Sequence, residues 1–99
     1  MRFGDVVVQR EGSAVRNAQE LLFVFLDDAR AIALEFMPDW VAQIDALLEI
    51  SREYDLEDID GRAGLEFCAD DAENVLSDHD FYTRWDDGYQ IVYGGSPAV

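Results

Sequence analysis

The sequence predicts an α+β domain: a mostly antiparallel sheet of two or three hairpins packed against one long helix (about 39–54) and one short helix (about 70–77). Three observations predict it. Val6, Val7 and Val8 form a β-branched run with no helical spacing. Asp87-Gly88 is a short hairpin signal between the arms Tyr82–Trp85 and Tyr89–Tyr93. Pro38 opens a segment whose apolar residues recur every three or four positions. The length of 99 residues suits a single domain over 1–99.

Taken in order, Phe3–Arg10 reads as a strand and Glu11-Gly12-Ser13 as a turn. Residues 13–37 carry two patterns. Val15, Ala18, Leu22, Phe25, Ala29, Ile32 and Phe36 fit one face of a long helix, which leaves Phe23, Val24 and Leu34 facing water. Alternatively, Leu21–Leu26 is an apolar strand, Asp27-Asp28-Ala29 a turn, and Ile32, Leu34 and Phe36 one face of a second strand. An internal echo favours the hairpin. Leu26–Leu34 parallels Trp85–Tyr93, and the second copy contains the Asp-Gly turn.

In Asp39–Tyr54, Trp40, Val41, Ile44, Leu47, Leu48 and Ser51 share one helical face, and Asp45, Glu49, Arg52 and Glu53 the other. Asp55–Asp60 then reads as an acidic linker, Asp60-Gly61 as a turn and Leu65–Cys68 as a short strand. Asp70 or Asp71 caps a short helix that runs to about Ser77, with Val75 and Leu76 inward. Gly94-Gly95-Ser96-Pro97 marks a frayed end.

The formal net charge is −15, and its distribution is uneven. Between Glu53 and Asp87, thirteen carboxylates meet two arginines, whereas residues 1–52 hold nine carboxylates and five arginines. All seven cations are arginine, the residue that grips carboxylates with two parallel hydrogen bonds. An acidic surface of this kind repels nucleic acid and anionic lipid, so direct nucleic-acid or membrane binding is not expected. Cys68 is alone, which fits a reducing compartment. No signal-peptide pattern or transmembrane-length run is present, so a cytoplasmic protein is expected.

Catalytic and metal chemistry find weak support. Asp58, Asp60 and Gly61 match three places of a calcium loop, but Leu56 and Phe67 occupy two of its strongest ligand positions. Cys68 and His79 have no spacing that specifies a nucleophile and its base. A carboxylate acid–base pair needs burial, and most of these acids fall in segments read as loops and turns, where exposure is expected. No enzyme activity, cofactor or metal is therefore expected.

What remains is an interaction surface. The expected partner-binding residues are Asp55, Glu57, Asp58, Asp60, Asp70, Asp71, Glu73, Asp78, Asp80, Asp86 and Asp87, with Tyr82, Trp85 and Tyr89 as aromatic anchors. Carboxylates can stand in for phosphates, because arginine grips both in the same way. The expectation is a small acidic inhibitor of a basic nucleic-acid-handling protein: a nuclease, a CRISPR effector or a toxin. Toxin-immunity proteins and phage-encoded anti-defence proteins, of the anti-CRISPR type, are the settings. The alternative is a non-catalytic interaction module, monomer or homodimer, that uses an apolar sheet face at Leu21–Leu26.

Overall fold

Asp86 and Asp87 turn the chain between β2 (Phe81–Trp85) and β3 (Gly88–Tyr93) in the computed structural model, which describes residues 5–12 and 18–94. The Asp-Gly signal sits where the chain needs it. Gly88 has φ +116°, and a Cβ there would lie 2.0 Å from the Arg10 carbonyl oxygen. Gly88→Ala is therefore expected to lower the unfolding free energy by about 1–3 kcal/mol, the range for one strained backbone position. An unchanged urea midpoint would contradict this account of the turn.

β1 (Asp5–Glu11) pairs with the other edge of β3, giving an antiparallel sheet in the order β1-β3-β2. The register slips between Val6 and Val8, and Val7 and Val8 both pack partly buried against the core. Arg10, Tyr89 and Trp85 lie abreast on the face that the helices cover, as do Val8, Ile91 and Thr83. Phe3, Gly4, Ser13, Val15, Gly95, Ser96 and Pro97, all used in the sequence reading, lie outside the described residues.

The α+β class stands, but the hairpin expected over Leu21–Phe36 is a helix, α1 (Ala18–Phe36). Its buried stripe is Phe25, Leu26, Asp28, Ala29, Ile32 and Ala33, a 3-4 spacing. The internal echo misled because Ala29 stands where the second copy has Gly88. Without glycine the tight turn loses its preferred residue, and Ala29, Ala31 and Ala33 favour helix. Phe23 and Val24 are half-buried against the core, while Leu34 does face water. Leu21–Leu26 therefore forms no sheet face; Phe25 and Leu26 are fully buried.

A 3-10 turn at Pro38–Trp40 leads into α2 (Val41–Glu53), within the helix read from Asp39 to Tyr54. Arg30 of α1 donates from Nε to Asp45 of α2 and ties the pair together. The second correction concerns the acidic stretch. Leu65–Cys68 is not a strand and Asp60-Gly61 is not a turn; both lie in α3 (Ile59–Asp78), a 20-residue helix whose last turns absorb the short helix expected at 70–77. Gly61, Leu65, Cys68, Ala69, Ala72, Val75 and Leu76 form its buried stripe. Gly61 belongs there because a Cβ would meet the Asp55 carbonyl oxygen at 1.9 Å. Asp58 caps the helix, its side chain accepting from the Asp60 amide at 3.3 Å.

Candidate interaction surface

A helix with one buried stripe turns its remaining positions to solvent. On α3 those positions hold Asp60, Glu66, Asp70, Asp71, Glu73 and Asp78, against a single cation, Arg62. At 100° per residue, Glu66, Asp70 and Glu73 share one flank, and Asp60, Phe67, Asp71 and Asp78 the other. Ile59 and Phe67 are 74% and 69% exposed on this outer surface. The acids of α1 and α2 include two that are paired, Asp28 with Arg10 and Asp45 with Arg30. Among the described residues, no guanidinium forms an ion pair with a carboxylate of α3.

The first flank has built walls. Glu66, Asp70 and Glu73 line a cleft of about 230 Å³ with Leu22, Ala69 and Trp85. The Trp85 ring leans on Phe25 and Tyr89, with centroids 5.0 and 5.2 Å away. Its indole Nε1 donates to Glu73 Oε2 at 3.3 Å, which fixes the ring at the cleft edge. Partial burial pushes the Glu73 carboxyl above its usual range; the charge of Asp70 pushes the same way, and the Trp85 bond partly opposes both. The charged form of Glu73 is thus unfavourable here, and a docked cation would relieve it.

That shift has a sign. A carboxyl raised in the folded state contributes stability below its ordinary pKa and loses it as pH rises through the raised value. Glu73→Gln is therefore expected to raise the melting temperature at neutral pH, with the gain fading toward about pH 4. A lower melting temperature at neutral pH would contradict the assignment.

The fourteen sequence-selected residues separate into groups. Asp70, Glu73 and Trp85 come together in this cleft, and Asp71 and Asp78 lie along the opposite flank of α3. Asp60 is in the first turn of α3, and Glu57 is exposed in the loop before it. Asp55 and Asp58 hold that loop, Asp55 accepting from the Glu57 amide at 3.0 Å. Asp78 and Asp80 border a separate aromatic cleft. Asp86 and Asp87 share their groove with Arg10 and Arg84, away from α3. Tyr82 is half-buried on the sheet face opposite the helices. Tyr89 needs correction as an anchor: it is 1% exposed and its hydroxyl donates to Asp28.

Sequence reasoning missed Glu66, Phe67, Ile59 and Leu22. The signal for the first three was present, because a continuous 3-4 stripe from Gly61 to Leu76 turns Ile59, Glu66 and Phe67 outward. Cys68 is buried, with its thiol pushed up by burial and by Asp71, and it lies on α3 eleven residues before His79, about 16 Å along the axis. Among the described residues, no group of three or more candidate side chains is placed to hold a metal ion, and no helix is long and apolar enough to cross a membrane. No family model, curated protein or solved structure matches this chain.

Proposed function

We propose that this protein is a small acidic inhibitor that docks on a basic, nucleic-acid-handling protein and blocks its nucleic-acid site. The observation that carries the reading is the outer face of α3: six carboxylates and one arginine, none of the six in an ion pair with another described residue, and two exposed apolar side chains, Ile59 and Phe67. Side chains three or four apart on a helix stand roughly 5–6 Å from each other. A phosphate backbone advances about 3.4 Å per nucleotide along the axis, with rotation added, so the two rows of anions are comparable. An arginine-rich groove that grips phosphates can grip these carboxylates with the same fork. Ile59 and Phe67 add apolar contact that a phosphate backbone does not offer, which would favour the protein in competition. A nuclease, a CRISPR effector or a nucleic-acid-cleaving toxin has the required chemistry.

The test is competition. A basic protein captured by the immobilised chain should lose its nucleic-acid binding as this protein is added. Retention of nucleic-acid binding by the captured protein, or capture that survives neutralisation of Glu66, Asp70 and Glu73, would overturn the proposal.

A further inference from the structure

A second cleft lies at the C-terminal end of α3. It measures about 500 Å³ and is lined by Phe36, Asp78, His79, Asp80, Phe81 and Tyr93. Phe81 is buried and forms the floor. Phe36 and Tyr93 flank it, their ring centroids 5.3 and 5.1 Å from Phe81 at tilts of 43° and 58°. Phe36 is 41% exposed, so its ring opens to solvent. The rim is held by the backbone: the Asp80 amide donates to Ser77 at 3.1 Å, and the Asp80 carbonyl accepts from Gly94 at 2.6 Å. His79 is fixed as well, with Nδ1 2.9 Å from the Val75 carbonyl and its ring edge-on to Trp40.

Several independent features give this cleft the same electrostatic sign. Aromatic faces are negative at their centres. Asp78 and Asp80 are exposed carboxylates on the rim. α1 ends at Phe36 and α3 at Asp78, so the negative ends of two helix dipoles meet here. A basic residue in the last turn commonly offsets such an end; neither helix has Lys or Arg there, and only the C-cap His79 of α3 reaches back, to the Val75 carbonyl.

We propose that this cleft receives an arginine side chain from a partner polypeptide. The guanidinium is planar, stacks on aromatic faces and reaches carboxylates with its edge N–H groups, which matches ring walls beside an acidic rim. An ammonium can be drawn by the same charge, but it lacks the flat face. The inference goes beyond the inhibitor reading and does not depend on it: it concerns the C-terminal end of α3 rather than its Glu66–Glu73 flank, and any arginine-bearing peptide.

The experiment is an amide-detected NMR titration of the full chain with the blocked tripeptide Gly-Arg-Gly. The counterparts carry lysine, or citrulline, which keeps the shape and loses the charge. Shifts should concentrate at Phe36, His79, Phe81 and Tyr93, and citrulline should bind at least about fivefold more weakly. Phe36→Ala, an exposed helix-end position, should weaken arginine binding by about two- to fivefold. Asp80→Asn keeps a residue type that tolerates the positive φ at this position and should also weaken it. Equal affinity for citrulline, shifts centred on Glu66, Asp70 and Glu73, or native-like variants that bind as well as the wild type would overturn the proposal. Failure of the inhibitor reading is a separate result: it is read from capture after neutralisation of Glu66, Asp70 and Glu73, whereas the present inference is read from the peptide titration alone.

Discussion

Replacing Asp28 by alanine is expected to lower the unfolding free energy by about 2–4 kcal/mol. That is a large share of the roughly 5–15 kcal/mol that holds a small domain together. Asp28 is 7% exposed on α1 and accepts from two strands. Arg10 of β1 reaches it from Nε at 2.8 Å and Nη2 at 2.7 Å, and the Tyr89 hydroxyl of β3 donates to the same carboxylate. One side chain thus ties a helix to two strands. Part of the loss comes from the buried Tyr89 hydroxyl, left without its acceptor. The Arg10 side chain is 48% exposed and can turn to water, so the loss falls short of that for a fully buried pair. Tyr89→Phe in the Asp28→Ala background should recover about 1 kcal/mol in a double-mutant cycle.

The same contact sets an alkaline limit. Burial, then the Asp28 bond and charge, push the Tyr89 phenol far above its usual value. The unfolded phenol ionises near about pH 10, so this contribution to stability is present below that pH and is lost as pH rises beyond it. Tyr89→Phe should flatten the alkaline limb of the stability curve. Urea unfolding from neutral pH upward checks both points, and an Asp28→Ala midpoint equal to wild type would contradict the first.

The second large effect is on binding. Exchanging Glu66, Asp70 and Glu73 for lysine should weaken capture of the basic partner by at least about a hundredfold, because like charges then face each other across the contact. The free protein should melt higher, since its self-repulsion falls. The control reverses Asp27, Glu49 and Glu53, three exposed carboxylates of α1 and α2, with the same change in net charge. It should change affinity only within a few-fold, through screened long-range attraction. Equal losses from the two triple variants, measured at one salt concentration, would mean that overall charge rather than the α3 face governs binding.

The elements legible in the sequence were those with local signals. Val6–Val8, the Asp87-Gly88 turn and the helix after Pro38 each follow from residues a few positions apart. α1 was not legible, because Leu21–Leu26 is apolar all round and such a run fits a buried strand as well as a buried helix. Its polarity was settled by Asp28, whose inward placement depends on Arg10 and Tyr89, 18 and 61 residues away. α3 was hidden by its composition. Gly61 and Gly64 disfavour helix locally, and only contacts with the Asp55 backbone and the Tyr54 ring account for them. Once α3 is a helix, Asp60, Glu66, Asp70, Asp71, Glu73 and Asp78, divided in the sequence between a turn, a strand and a short helix, come onto its outer surface. The concentration of charge was therefore readable, but its arrangement into a flank with Trp85 and a rim with Phe36 was not.

Carboxyl labelling of the free chain and of its complex with a captured basic partner, read residue by residue by mass spectrometry, puts the working surface to the most direct test. Docking on α3 predicts that Glu66, Asp70, Asp71 and Glu73 lose reactivity in the complex while Asp27, Glu49 and Glu53 keep theirs. Unchanged labelling along α3, with protection appearing on α1 and α2 instead, would contradict it.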